Sequence, residues 1–143
     1  MGYHNLKERI KLNEGFSSKP YKDQLRYLTI GYGHLILSNE KILLKKQINK
    51  KELEEIFEKD FKKALSDFNN TFKSLTLNKK VSELLIEMIF QLGIKGCLKF
   101  KNLIKNIKKR NKHLVCLDMM DSLWYKQTPN RVKALIKTFL NNE

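Results

Sequence analysis

The chain alternates between two hydrophobic periodicities. Tyr3, Leu6 and Ile10 recur at helical spacing, which predicts a first helix ending near Gly15. From Pro20 to Leu37 the pattern changes. Tyr21, Tyr27, Thr29, Ile30 and Tyr32 favour strands, and Gly31 and Gly33 punctuate them, so short antiparallel strands with tight turns are expected. After Asn39 helical spacing returns and persists. Asn49, with Glu52 three residues on, has the form of a capping box. Leu53, Ile56, Phe57, Phe61, Ala64, Leu65, Phe68 and Phe72 then mark a helix of about six turns.

Asn78 is placed to cap a further helix that carries Val81, Leu84, Leu85, Met88, Ile89 and Leu92 inward and stops at Gly93. Two more helices are expected over 96–109 and 111–124. A last one opens on Thr128 as N-cap with Pro129 at its first position, and buries Val132, Leu135, Ile136 and Phe139. Segregated strands and helices indicate an α+β, mostly helical protein. The expected organisation is one domain over 1–143: a sheet lobe at about 15–45, a connecting helix at about 49–72, and a helical lobe at about 73–143 joined by the N-terminal helix.

At 143 residues such a chain buries enough surface for a core without disulfides. Cys97 and Cys116 are the only cysteines and are expected to be free thiols. No apolar run approaches the ~18 residues of a membrane span, and residues 1–12 lack the apolar stretch of a secretory signal. The histidines His4, His34 and His113 are scattered, so no metal site is expected.

The net charge of +14 draws the chain to polyanions. It carries only four arginines, however, and neither a recognition motif nor base-stacking aromatics, so no specific nucleic-acid partner is expected. Gly31 and Gly33 do not form a phosphate loop, because no Lys-Ser/Thr pair and no helix start follow them.

Cleaving a glycosidic bond takes two carboxyls, one to protonate the leaving oxygen and one to activate water or to attack. Glu14 at the end of the first helix and Asp23 in the turn-rich segment come from different elements. On spacing alone the pair is one of many that 15 acidic residues offer. The surrounding residues narrow the choice. Glu14-Gly15, Tyr21-Lys22-Asp23 and Leu28-Thr29-Ile30-Gly31-Tyr32-Gly33-His34 resemble the signature of the phage-type lysozymes, glycoside hydrolase family 24. Phe90-Gln91-Leu92-Gly93 and Trp124-Tyr125-Lys126-Gln127-Thr128-Pro129-Asn130-Arg131 extend the resemblance over nearly the whole chain.

That resemblance implies a two-lobed lysozyme fold and an inverting muramidase, which hydrolyses the β-1,4 bond between N-acetylmuramic acid and N-acetylglucosamine in peptidoglycan. It implies Glu14 as general acid, Asp23 as the base that activates water, and Thr29 as the hydroxyl that holds it. Leu35 and Phe90 match positions that line the sugar groove, and Gln91 is a candidate for polar contact with the sugar or with Glu14. Phe90 serves equally well as core, and Trp124 reads better as core than as a stacking platform. Arg131 is expected to orient Glu14, and His34 and Asp60 to form a structural ion pair. No cofactor is implied. The enzyme would be a monomer held in the host cytoplasm until a holin perforates the membrane. Retention of Glu14 and Asp23 argues against a wall-binding relative without activity, and Asp23 with Thr29 against lytic transglycosylation.

The chain departs from the family pattern in two places. Arg26 stands where the Asp-x-x-Gly turn has glycine, at a cost of about 1 kcal/mol or more if its φ is positive. The stretch between His34 and Asn49 is also shorter than is usual in the family.

Overall fold

The computed structural model describes residues 2–23, 25–45 and 48–141. Among these, eight helices and one small sheet follow in the order α1 (His4–Glu14), β1 (Ser17–Lys22), β2 (Leu28–Gly31), β3 (His34–Leu35), α2 (Ile42–Lys45), α3 (Lys50–Phe72), α4 (Lys79–Leu98), α5 (Lys101–Lys108), α6 (Lys112–Met120), α7 (Leu123–Gln127) and α8 (Pro129–Leu140). The fold is α+β and mostly helical, with a three-stranded antiparallel sheet of order β1-β2-β3. Contacts divide the chain into two compact units, Met1–Lys63 and Ala64–Glu143, with the boundary inside α3.

In the first unit α1 packs with the sheet and the first part of α3. Leu6 and Ile10 of α1 are fully buried, as are Phe57 and Phe61 of α3. An aromatic chain runs from Tyr3 to Phe61 (5.8 Å), Phe57 (6.3 Å), Tyr32 (5.6 Å) and Phe16 (4.9 Å between centroids). Burying the Phe57 and Phe61 rings stabilises the unit by roughly 1.5–3 kcal/mol each. Ile30, Leu43, Ile48 and Leu53 close the core behind the sheet. Strand β1 pairs with β2 through Ser17↔Gly31, Tyr21↔Thr29 and Lys22↔Leu28. The register shifts between Ser17 and Tyr21, a stretch that contains Pro20, which has no N–H to give the ladder.

In the second unit Leu85, Met88, Cys97, Leu103, Met119 and Val132 centre the core. Asn49 and Asn78 both cap, accepting from Glu52 N at 2.8 Å and Val81 N at 2.9 Å. The first run of α4 breaks at Gly93, whose φ of 76° only glycine adopts freely. The helix expected over 96–109 is interrupted at Lys99–Phe100. The one expected over 111–124 splits into α6 and α7, because Ser122 Oγ takes the Tyr125 N–H at 3.0 Å and starts a new helix. Thr128 precedes α8 but does not cap it. Its hydroxyl donates back to Trp124 O at 3.1 Å. Trp124 is buried, with its ring edge-on to Phe100 at 5.6 Å, so it is core. Cys97 and Cys116 are buried free thiols.

Candidate active site

Glu14, Asp23 and Thr29 all belong to the first unit. Glu14 is the last residue of α1. The chain leaves the helix at Gly15 (φ 75°, ψ 176°), whose N–H bonds to Lys11 O at 3.0 Å. This exit leaves the Glu14 carboxyl against the backbone of Gly33, in the turn between β2 and β3. A Cβ on Gly33 would overlap Glu14 Oε1 and lie 2.9 Å from its Cδ. Gly33 is therefore needed twice, for its φ of 76° and for the space in which the carboxyl sits.

Asp23 follows β1 and organises the loop leading to β2. Its Oδ1 accepts from Leu25 N and Tyr27 N, both at 2.9 Å, while its own N–H bonds to Tyr27 O at 3.0 Å. Two amide donors fix one oxygen in place. No hydrogen bond to the other oxygen, Oδ2, is found among the described residues. Arg26 closes the loop through its N–H to Asp23 O at 2.9 Å, with φ 68°. An arginine thus occupies a left-handed position in the loop that holds Asp23.

Thr29 is buried on β2 and donates its hydroxyl to Tyr27 O at 3.0 Å. With its proton committed, Oγ1 faces any further partner as an acceptor. Tyr21 lies directly opposite Thr29. Burial raises the Tyr21 phenol above its ordinary range, and the charges of Glu14 and Asp23 add to the effect. Tyr21 is thus within electrostatic reach of both carboxyls. The sequence pattern marked it only as a strand former. Leu35 pairs with Thr29 on the other side and is about half exposed.

His34 sits between two carboxylates, with Nδ1 2.8 Å from Asp60 Oδ2 and Nε2 2.9 Å from Glu40 Oε1. Burial works against its charged form, but the hydrogen bonds and charges of Asp60 and Glu40 outweigh it and push the pKa up to about 9. Glu40 was not anticipated from the sequence. It also accepts from Leu37 N at 2.9 Å, so it ties the end of the sheet to the segment before α2.

In the second unit Arg131 Nη2 lies 3.5 Å from Glu87 Oε2, and Glu87 is completely buried. Gln91 Nε2 makes a long 3.5 Å bond to Thr128 Oγ1, while its Oε1 is buried and has no partner among the described residues. Phe90 is half-buried against the helical core. Glu87 was also missed. Its signal was a lone carboxylate inside the run Leu84-Leu85-Ile86-Glu87-Met88-Ile89, where a buried charge demands a partner.

No helix among the described residues is long and apolar enough to cross a membrane. The phage lysozyme family model matches residues 11–138. Probable T4-type lysozyme 2 of Dictyostelium discoideum is 31% identical, over 94% of this chain and 93% of that protein. Probable T4-type lysozyme 1 of the same organism is likewise 31% identical, over 92% and 91%. Peptidoglycan hydrolase gp36 of Pseudomonas phage phiKMV is 29% identical over 93% of this chain and 15% of its own length. With a family match that runs from the last turn of α1 into the last turn of α8, the chain belongs to the phage lysozyme family and is a glycoside hydrolase.

Proposed function

We propose that the protein is a muramidase that hydrolyses the β-1,4 bond between N-acetylmuramic acid and N-acetylglucosamine in peptidoglycan. The observation that carries this reading is the Glu14 carboxyl seated on Gly33, with Tyr21 in electrostatic reach of both Glu14 and Asp23. Two carboxyls and one water suffice for the chemistry. Glu14 gives its proton to the leaving glycosidic oxygen as the bond to the anomeric carbon breaks. Asp23 Oδ2 takes a proton from the water that attacks that carbon. Because Thr29 has given its own proton to Tyr27 O, it accepts from the same water. A water that donates both hydrogens, to Asp23 and to Thr29, turns a lone pair toward the sugar. In this mechanism Asp23 is a base rather than a nucleophile, and the product is inverted.

Leu35, Phe90 and Gln91 are proposed sugar contacts. The orienting role that the resemblance gives Arg131 is tested by Arg131→Met, which is expected to change the rate or the pH–rate profile. The net charge of +14 concentrates the enzyme at the anionic wall, so clearing should weaken as salt is raised. The proposed role is wall lysis by a monomer released from the host cytoplasm when a holin opens the membrane. Mass spectrometry of digested peptidoglycan tests the reaction itself. Reducing, hydrated N-acetylmuramic acid ends support hydrolysis at this bond. Anhydro ends, lighter by one water, or N-acetylglucosamine at the new reducing ends overturn it.

A further inference from the structure

The last turn of α1 and the Tyr32–Gly33 turn hold Glu14 from two sides, and a single side chain on α3 reaches both. Glu54 Oε1 accepts from Lys11 Nζ at 2.7 Å, and Glu54 Oε2 accepts from Tyr32 OH at 2.6 Å. Lys11 stands one turn before Glu14 on α1. Tyr32 immediately precedes Gly33, against which the Glu14 carboxyl rests. The ammonium of Lys11 also lies 5.3 Å from the centre of the Tyr32 ring and 5.0 Å from that of Phe57. Lys11, Tyr32 and Glu54 thus form one cluster whose members come from α1, the β2–β3 turn and α3.

We propose that Glu54 is a positioning residue for Glu14: by binding Lys11 and Tyr32 at once, it fixes the last turn of α1 relative to the Gly33 turn and so holds the acid's carboxyl in its working place. This rests on the reading of Glu14 as the general acid. The cluster keeps its protonation state across the range in which a lysozyme works. The hydrogen bond from Lys11 holds the Glu54 carboxyl below its ordinary range, with Tyr32 adding to it. Burial opposes the Lys11 charge, but Glu54 and Glu8 outweigh it and raise the ammonium. Tyr32 is pushed up to about 12, by burial first and then by Glu54. The clamp is consequently not a pH switch.

The molecule supplies its own control. Lys7 Nζ bonds to Glu58 Oε1 at 2.8 Å and also joins α1 to α3, but this pair does not reach the Tyr32–Gly33 turn. A merely structural role for Glu54 would be matched by Glu58. Glu54→Gln, Tyr32→Phe and Glu58→Gln are compared with the parent on a soluble glycan fragment. Glu54→Gln is expected to lower kcat about tenfold with little change in KM, because a small displacement of a catalytic group slows the chemistry and leaves substrate binding intact. Tyr32→Phe should lower kcat in the same sense and by less, and Glu58→Gln should leave it unchanged.

A second measurement does not depend on turnover. The side-chain ¹³Cδ resonance of Glu14 should move in Glu54→Gln and stay in place in Glu58→Gln. Equal effects of Glu54→Gln and Glu58→Gln, or an unshifted Glu14 resonance with unchanged kcat in Glu54→Gln, would overturn the proposal. If Glu14→Gln cleared peptidoglycan as fast as the parent, the acid assignment would fail by itself, and the resonance would still decide whether Glu54 positions the Glu14 carboxyl.

Discussion

Replacing Asp60 with asparagine removes one of the two carboxylates that hold His34 in its charged form. The histidine pKa rises from 6.5 to about 9 in the folded protein, with Asp60 at 2.8 Å and Glu40 at 2.9 Å. At about 1.4 kcal/mol per unit, the shift corresponds to about 3 kcal/mol of folding stability. Its sign follows from the direction of the shift. A raised folded-state pKa means that the native state binds the proton more tightly than the unfolded chain does. The contribution is therefore complete below pH 6.5 and disappears as pH rises through 9. Asp60 contributes more than Glu40 to the shift, so Asp60→Asn should lower the His34 midpoint by more than half of the displacement. The destabilisation at pH 5.5 should be about 2 kcal/mol, with little at pH 9.5. Urea unfolding at the two pH values and NMR titration of the imidazole measure both quantities. A midpoint still near 9 in the variant, or an equal destabilisation at both pH values, would refute the reasoning.

Other substitutions probe the site's backbone and the core. Gly33→Ala should abolish clearing activity and destabilise the fold, since the new methyl meets the Glu14 carboxyl and φ stays at 76°; loss of stability with full activity would contradict it. At position 26, glycine should be more stable than alanine by about 1 kcal/mol, the reverse of the order at a position with negative φ; thermal unfolding of Arg26→Gly and Arg26→Ala decides the order. Cys97, whose burial pushes its thiol up to about 12, should resist iodoacetamide at pH 8 until the protein is unfolded, and labelling followed by mass spectrometry reads this directly.

The helical periodicities and the asparagine caps of α3 and α4 were legible because each lies within a few consecutive residues. Glu14, Asp23 and Thr29 were legible as a set only through the resemblance, since any meeting of the three depends on where a helix stops and a hairpin turns. Glu54, Glu40 and Glu87 were not read at all. Glu54 and Glu87 find their partners on other elements, 43 residues away for Glu54 and Lys11 and 44 for Glu87 and Arg131, and on its own helix each looks like an ordinary surface carboxylate or an interruption of an apolar run; Glu40 lies outside any helix, and its bond to His34 depends on how the segment after β3 folds back. Thr128 shows the opposite failure. The local Thr-Pro signal was correct about where α8 begins, but the hydroxyl found a carbonyl in the preceding turn and did not cap. The division of 111–124 into two helices had a local signal in Ser122, hidden by the continuous apolar spacing around it.

The central claim is that Glu14 supplies the proton for glycan hydrolysis. Clearing of purified peptidoglycan by the parent and by Glu14→Gln, both verified as folded, tests it most directly. Rapid clearing by the parent, reduced by several orders of magnitude in the variant, is the expected result. Equal clearing by the two proteins would contradict the claim.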